Sequence, residues 1–172
     1  MDFQTRAYLE RIVAIIMETF NIPTPIGNID DVVAGMNGII VELPEHPVGN
    51  TVAKGHGDCD FIIYVRKGQR REKRNLAIAQ SLGILFLHMG YMTDWARWDS
   101  CDHTVYSGSY FQMDFEKDEF ACDLLMPRQA FLDYIYQHSE NGNVDTYQVS
   151  KHFGVPNGVA VKRGKWMGAL QW

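Results

Sequence analysis

RNLAIAQSLGILFLH, residues 74–88, lies in the most strongly helical stretch of the chain. The helix it predicts runs over 70–89, opening with the charged QRREKRN and continuing as LAIAQSLGILFLHM. The second half is apolar on nearly every side, so it belongs in the interior and not on an amphipathic surface. A second segment, EKDEFACDLLMP at 116–127, reads as another helix over 114–125, with Pro127 marking its end. These two helices are the frame on which the rest is placed.

Outward from them, Phe3, Ala7, Leu9, Ile12, Val13, Ile16, Met17 and Phe20 recur near helical spacing and predict a first helix over 3–20, stopped by Asn21, Pro23 and Pro25. Asn28 is an N-cap candidate for a second helix ending near Asn37, with Gly38 as its stop. GIIVEL at 38–43 and CDFIIYV at 59–65 read as strands, and the turn-rich segment between them has room for a short third one near Thr51–Ala53. Residues 90–111 read as a long connection holding Trp95, Trp98, Tyr106, Tyr110 and Phe111; a stretch of that length is a functional loop or hides an element. A helix is expected at 128–138, a loop at ENGN 140–143, and two short helices in the tail, joined at Gly154-Val155-Pro156. Helices gather at both ends and strands in between, which is an α+β order and not an alternating parallel one.

Composition narrows the class. The 172 residues are 46% hydrophobic and 22% charged with a net charge of −5, enough to bury a core and without a general pull on nucleic acid or anionic lipid. No apolar run reaches the ~20 residues that span a bilayer, and the amino-terminal stretch lacks the pattern of a signal peptide. Three cysteines, Cys59, Cys101 and Cys122, form no CxxC pair, so a reducing, cytoplasmic setting is expected.

Residues 74–88 and 116–127 together resemble the ImmA/IrrE family of zinc metallopeptidase-like proteins. The family's helix reads His-Glu-Leu-Gly-His where this chain reads Gln80-Ser81-Leu82-Gly83-Ile84, and its Glu-Ala-Asn-x-Phe-Ala-x-x-Leu-Leu-Met-Pro signature is similar to EKDEFACDLLMP. The tail FGVPNGVAVKRGKWMGAL is similar to the family's ending. The resemblance implies a zincin-like minimal peptidase fold over 1–139, a small mixed or antiparallel sheet packed on helices, followed by a short helix-turn-helix-like segment over 140–172.

Two histidines at i and i+4 on one helix face present two imidazoles to one zinc, the intervening Glu activates the bound water, and a carboxylate completes the protein ligands. The former metal-site positions are then Gln80, Ser81, Ile84 and, as the surviving acid, Glu116, with Asp114 if the register slips. An amide oxygen is a poor zinc ligand, Ile84 has no lone pair, and Ser81 is no general base. No metal, no cofactor and no catalytic residue are therefore expected, and Ile84 reads as apolar filling of a vacated site.

Other candidates weigh less. His88 lies two turns from Gln80, so a rebuilt site of Gln80, His88 and Glu116 is conceivable; a histidine bonded to backbone is the plainer reading. Cys101, Asp102 and His103 are adjacent, and their side chains should diverge. The RKGQRREKR run at 66–74 reads first as a solvated turn and exposed first helical turns. Trp95, Trp98, Tyr106 and His88 are candidate groove residues, bordering a strand at 59–65 expected at or near a sheet edge. The function expected is a catalytically inactive metallopeptidase homologue, of phage or mobile-element type, that binds a protein partner such as a repressor-type regulator. The alternative is a peptidase with a rebuilt metal site. Nucleic acid and membrane are not expected partners.

Overall fold

The computed structural model describes residues 3–45, 50–101, 106–107 and 111–171. Along them run α1 (Phe3–Thr19), α2 (Ile29–Gly35), β1 (Gly38–Leu43), β2 (Thr51–Lys54), β3 (Phe61–Arg66), α3 (Arg71–Leu87) and α4 (Trp95–Ser100). There follow β4 (Tyr106–Ser107), α5 (Phe111–Leu125), α6 (Arg128–Gln137), β5 (Ser139–Glu140), β6 (Asn143–Val144), α7 (Thr146–Phe153) and α8 (Asn157–Trp166). The class is α+β. No helix among the described residues is long and apolar enough to cross a membrane.

Local chemistry sets many of the boundaries. Asn28 caps α2 by accepting from the Asp30 N–H at 3.2 Å, with Asp30 and Asp31 in the first turn. The reversal into β1 falls on Asn37, at φ 60°, and not on Gly38, which already belongs to the strand. Gly38 is needed there for another reason: a Cβ would stand 2.3 Å from the Phe61 ring of the neighbouring strand. Asp145 caps α7 through the Tyr147 and Gln148 N–H groups, and Gly154 ends it in the left-handed conformation.

The main sheet has the order β1-β3-β2-β4. β1 runs parallel to β3, with Gly38 opposite Phe61, while β2 pairs antiparallel with β3 and with β4, so the sheet is mixed. β3 thus has partners on both sides. Among the described residues the open edge beside it belongs to β1, and an extended peptide cannot add to β3 itself. Phe61, Ile63 and Val65 alternate into the core from β3, where α3 meets them with Ile78, Leu82 and Leu85, all buried. On its other side α3 packs against α5, and α1 packs against α5 in turn. Each fully buried side chain of this kind contributes roughly 1.5–3 kcal/mol of transfer free energy.

Two stretches read as connections hold elements. Within 90–111, Asp94 accepts from the Arg97 N–H at 3.1 Å and starts α4. The helix is six residues long, too short for a periodic signal, and is anchored by buried Trp98. ENGN is a tight hairpin: Asn141 (φ 50°) and Gly142 (φ 77°) form the two-residue turn between β5 and β6, as an Asn-Gly pair favours.

Candidate functional site

The site the sequence points to lies where α3 crosses α5. Gly83 lets the helices approach: a Cβ at that position would meet Lys117 Cα at 3.1 Å and the Phe120 side chain at 3.2 Å. About one turn earlier on α3, Gln80 uses both ends of its amide. Its Oε1 accepts from Asn50 Nδ2 at 3.2 Å, and its Nε2 donates to Asp118 Oδ1 at 2.6 Å. Asn50 also donates to the Ala77 carbonyl at 2.9 Å, which fixes the start of β2 on the flank of α3. The acid opposite Gln80 is therefore Asp118, not Glu116 or Asp114.

The displaced acids have other partners. Asp114 pairs with Lys117, one turn on. Glu116 lies 3.4 Å from His88 Nε2, close enough for an ion pair though off hydrogen-bond geometry. Burial holds the His88 imidazole below its ordinary pKa, with Glu116 pulling the other way. Gln80, His88 and Glu116 are thus divided between two separate pairs. The remaining letters point into packed interior: Ile84 is 0% exposed and Ser81 1%, and the Ser81 hydroxyl donates to the Ala77 carbonyl at 2.9 Å.

A zinc ion needs about three protein ligands whose lone pairs converge. Gln80 has its amide engaged at both ends, Ser81 is committed to backbone, and Ile84 offers no donor, so these residues do not fit the ion. Among the described residues no three His, Cys, Asp or Glu side chains gather to hold a metal. Putting Glu at 81 and His at 84 would bury a carboxylate and an imidazole in a dry core, a cost of several kcal/mol without a bound cation.

The groove residues divide. Trp95 is exposed at 64%, but Trp98 is 9% exposed and packs edge-on to Tyr91 at 5.1 Å, so it is a core residue and not a groove anchor. Tyr91 meets Phe61 at 5.2 Å and Phe86 at 5.7 Å, and its hydroxyl lies within hydrogen-bond distance of two acceptors, the Met36 carbonyl at 2.8 Å and Asp60 at 2.9 Å, to one of which its single proton is donated. The side chains of Tyr106, Tyr110 and Phe111 lie outside the described residues, as do Asp102 and His103. Cys101, beside them, points its thiol at the Met89 carbonyl, 3.7 Å away. In the basic run, Arg74 bridges Asp30 and Glu42 and Arg71 donates to the Gly27 carbonyl, so part of that charge is spent inside the fold.

Beyond α5 the structure holds a second polar centre. Arg163 of α8, 7% exposed, donates to Asp123 Oδ1 at 2.5 Å, to Glu119 at 3.3 Å and to the Met126 carbonyl at 3.2 Å. Asp123 is 4% exposed, and burial lifts its pKa to about 6 against the pull of Arg163. Arg6 of α1 reaches Glu119 at 3.3 Å and stacks on the Trp166 ring at 3.7 Å. Two cavities flank this wall. One, of about 140 Å³, is walled chiefly by Leu76, Phe115, Cys122, Val159 and Trp166, with Gln80 and Asp118 at its border. The other, of about 400 Å³, is lined by charged groups including Glu10, Asp123 and Arg128.

No protein-family model and no curated protein matches the chain.

Sequence reasoning passed over Asn50, Asp118, Asp123, Phe115 and Trp166, and it read Arg163 only as one of the cations of the helix-turn-helix-like tail, with Lys151, His152, Lys162 and Lys165. A faint signal was present for Asp123, a lone acid inside the apolar run ACDLLM. Such a residue is buried with a partner or not buried at all, and Arg163 is that partner.

Proposed function

We propose that this chain is a metallopeptidase-like protein of the ImmA/IrrE type that has given up metal chemistry and acts by binding a protein partner. The observation that carries the reading is what occupies the α3 positions of the resemblance. Gln80 is held by Asn50 and Asp118, Ser81 by the Ala77 carbonyl, and Ile84 is core. Every polar group there is satisfied by the protein itself, and none is left poised for a ligand or a proton transfer. The mixed sheet packed on α3 and the α3–α5 pairing are compatible with a zincin-like arrangement over 1–139, and the helical tail from 140 onward packs on it through Arg163.

On this reading the partner is a repressor-type regulator, the class that the resemblance implies, and the setting is cytoplasmic, with the protein belonging to a phage or other mobile element. The test is a two-hybrid screen against helix-turn-helix regulators, followed by titration of the purified pair with and without chelator. The expected result is a complex unaffected by chelator, with both chains intact by mass spectrometry. Cleavage of the partner, or loss of binding on metal removal, would overturn the proposal.

A further inference from the structure

The cavity of about 140 Å³ between α1, α3, α5 and α8 has the size and the wall of a receptor for one side chain. Sites for free drug-sized ligands run to roughly 300–1,000 Å³, whereas an apolar cavity near ~150 Å³ accommodates a single benzene-sized group. Leu76, Cys122 and Val159 line it, and Phe115 and Trp166 also border it, at 45% and 52% exposure. Large rings set round a small apolar pocket are the usual architecture of an interface hot spot.

The rim decides what stands beside the anchor. Asp118 accepts from Gln80, an amide that leaves its negative charge in place, and Glu119 is engaged by Arg6 and Arg163. Against these two acids the lining sets three cations, Arg6, Lys162 and Arg163. Lys162, exposed on α8 at the same rim, makes no ion pair among the described residues. The spare charge is positive, and its complement is a carboxylate.

We infer that this cavity takes one Phe-sized apolar side chain from a segment of a protein partner that carries an Asp or Glu directly beside it. The inference rests on the protein-binding reading above and names the chemistry of the partner. Binding of this kind needs no metal, and it places the contact next to Gln80, so that the hydrogen-bonded α3 position forms part of the rim instead of a reaction centre.

The test uses four fluorescein-labelled octapeptides, identical except for an anchor of Phe or Ala and flanking residues that are both Asp or both Lys. Fluorescence anisotropy gives affinity, and backbone amide shifts locate the contact. The expected result is tightest binding for the Phe–Asp peptide. It should be about 30-fold weaker with Ala as anchor and about fivefold weaker with Lys flanks, with shifts at Gln80, Phe115 and Val159. Val159→Trp, which fills the cavity, should abolish anchor dependence. Lys162→Glu, a surface change that leaves the core untouched, should invert the flank preference. Affinity independent of the anchor, or no binding by any peptide, would overturn the inference. Binding mapped away from the cavity would also overturn it while leaving the protein-binding reading standing. Zinc-dependent cleavage of any peptide would sink that reading, and the inference with it.

Discussion

Two of the polar contacts that α5 makes with its neighbours are built on opposite principles. Toward α3, Asp118 meets a neutral amide, Gln80, at 2.6 Å, in a part-buried setting shared with Asn50. Toward α8, Asp123 meets a full charge, Arg163, at 2.5 Å, with both side chains almost wholly buried. In the first, charge has been reduced and what remains is spread over short hydrogen bonds. In the second, a charge pair is kept despite its desolvation cost. The contrast teaches where the fold tolerates substitution. A part-buried cluster of one acid and two neutral amides loses little when an amide goes, whereas a buried ion pair strands the surviving charge.

The largest effect should therefore come from breaking the pair. Asp123→Ala leaves the Arg163 guanidinium buried and is expected to cost ~3–5 kcal/mol in urea unfolding. Replacing both residues by Leu should recover most of that loss. A single-variant cost below ~1 kcal/mol would remove the distinction between the two contacts.

Gln80→Glu should convert the first contact into a strained one, with two carboxylates at hydrogen-bond distance. Like charges raise the folded-state pKa of such a pair above its unfolded value. The variant should therefore be most stable in acid and lose stability as pH rises through the raised pKa. At neutral pH the expected loss is ~1–2 kcal/mol by order of magnitude. Gln80→Leu, which removes the amide without adding charge, should cost only ~1 kcal/mol. Equal pH profiles for the two variants would mean that Asp118 does not face position 80.

The smallest effect is a pH signature with opposite signs at the two ends of α5. Burial lowers the His88 pKa, so the unfolded chain binds the proton more readily, and stability from this group is lost as pH falls below its ordinary value of 6.5. Burial raises Asp123 to about 6 from 3.8, so the folded chain holds that proton more tightly, and stability from this group is lost as pH rises between those values. Chemical unfolding of His88→Gln and Asp123→Asn across pH 4–8 should flatten the two limbs separately: His88→Gln the loss toward acid, Asp123→Asn the loss toward neutrality.

Much of the frame was legible in the sequence because it is local. The helical periods of α1 and α3, the Asn28 cap, the β-branched runs and Pro127 each act within a few residues. The site was legible only in part, because helix-to-helix register is not a local property. Asp114, Glu116 and Asp118 sit two residues apart, about 200° round a helix at each step. Nothing in the sequence says which of them meets Gln80, and that is decided by the close approach at Gly83. Trp98 was misjudged for a related reason. In a segment without periodicity an aromatic anchor and an aromatic plug look alike, and only the packing of Tyr91 against it tells them apart. Arg163 reads as one more tail cation until the fold sets it on Asp123.

The most direct test is zinc binding by the purified wild-type chain in competition with a chromogenic chelator of micromolar affinity, with Gln80→Ala, His88→Ala and Glu116→Ala run alongside. The expected result is no zinc withdrawn from the chelator by any of the four proteins at neutral pH. One equivalent bound by the wild type and lost in any of the three variants would contradict it, and would restore a metal centre to the α3–α5 crossing.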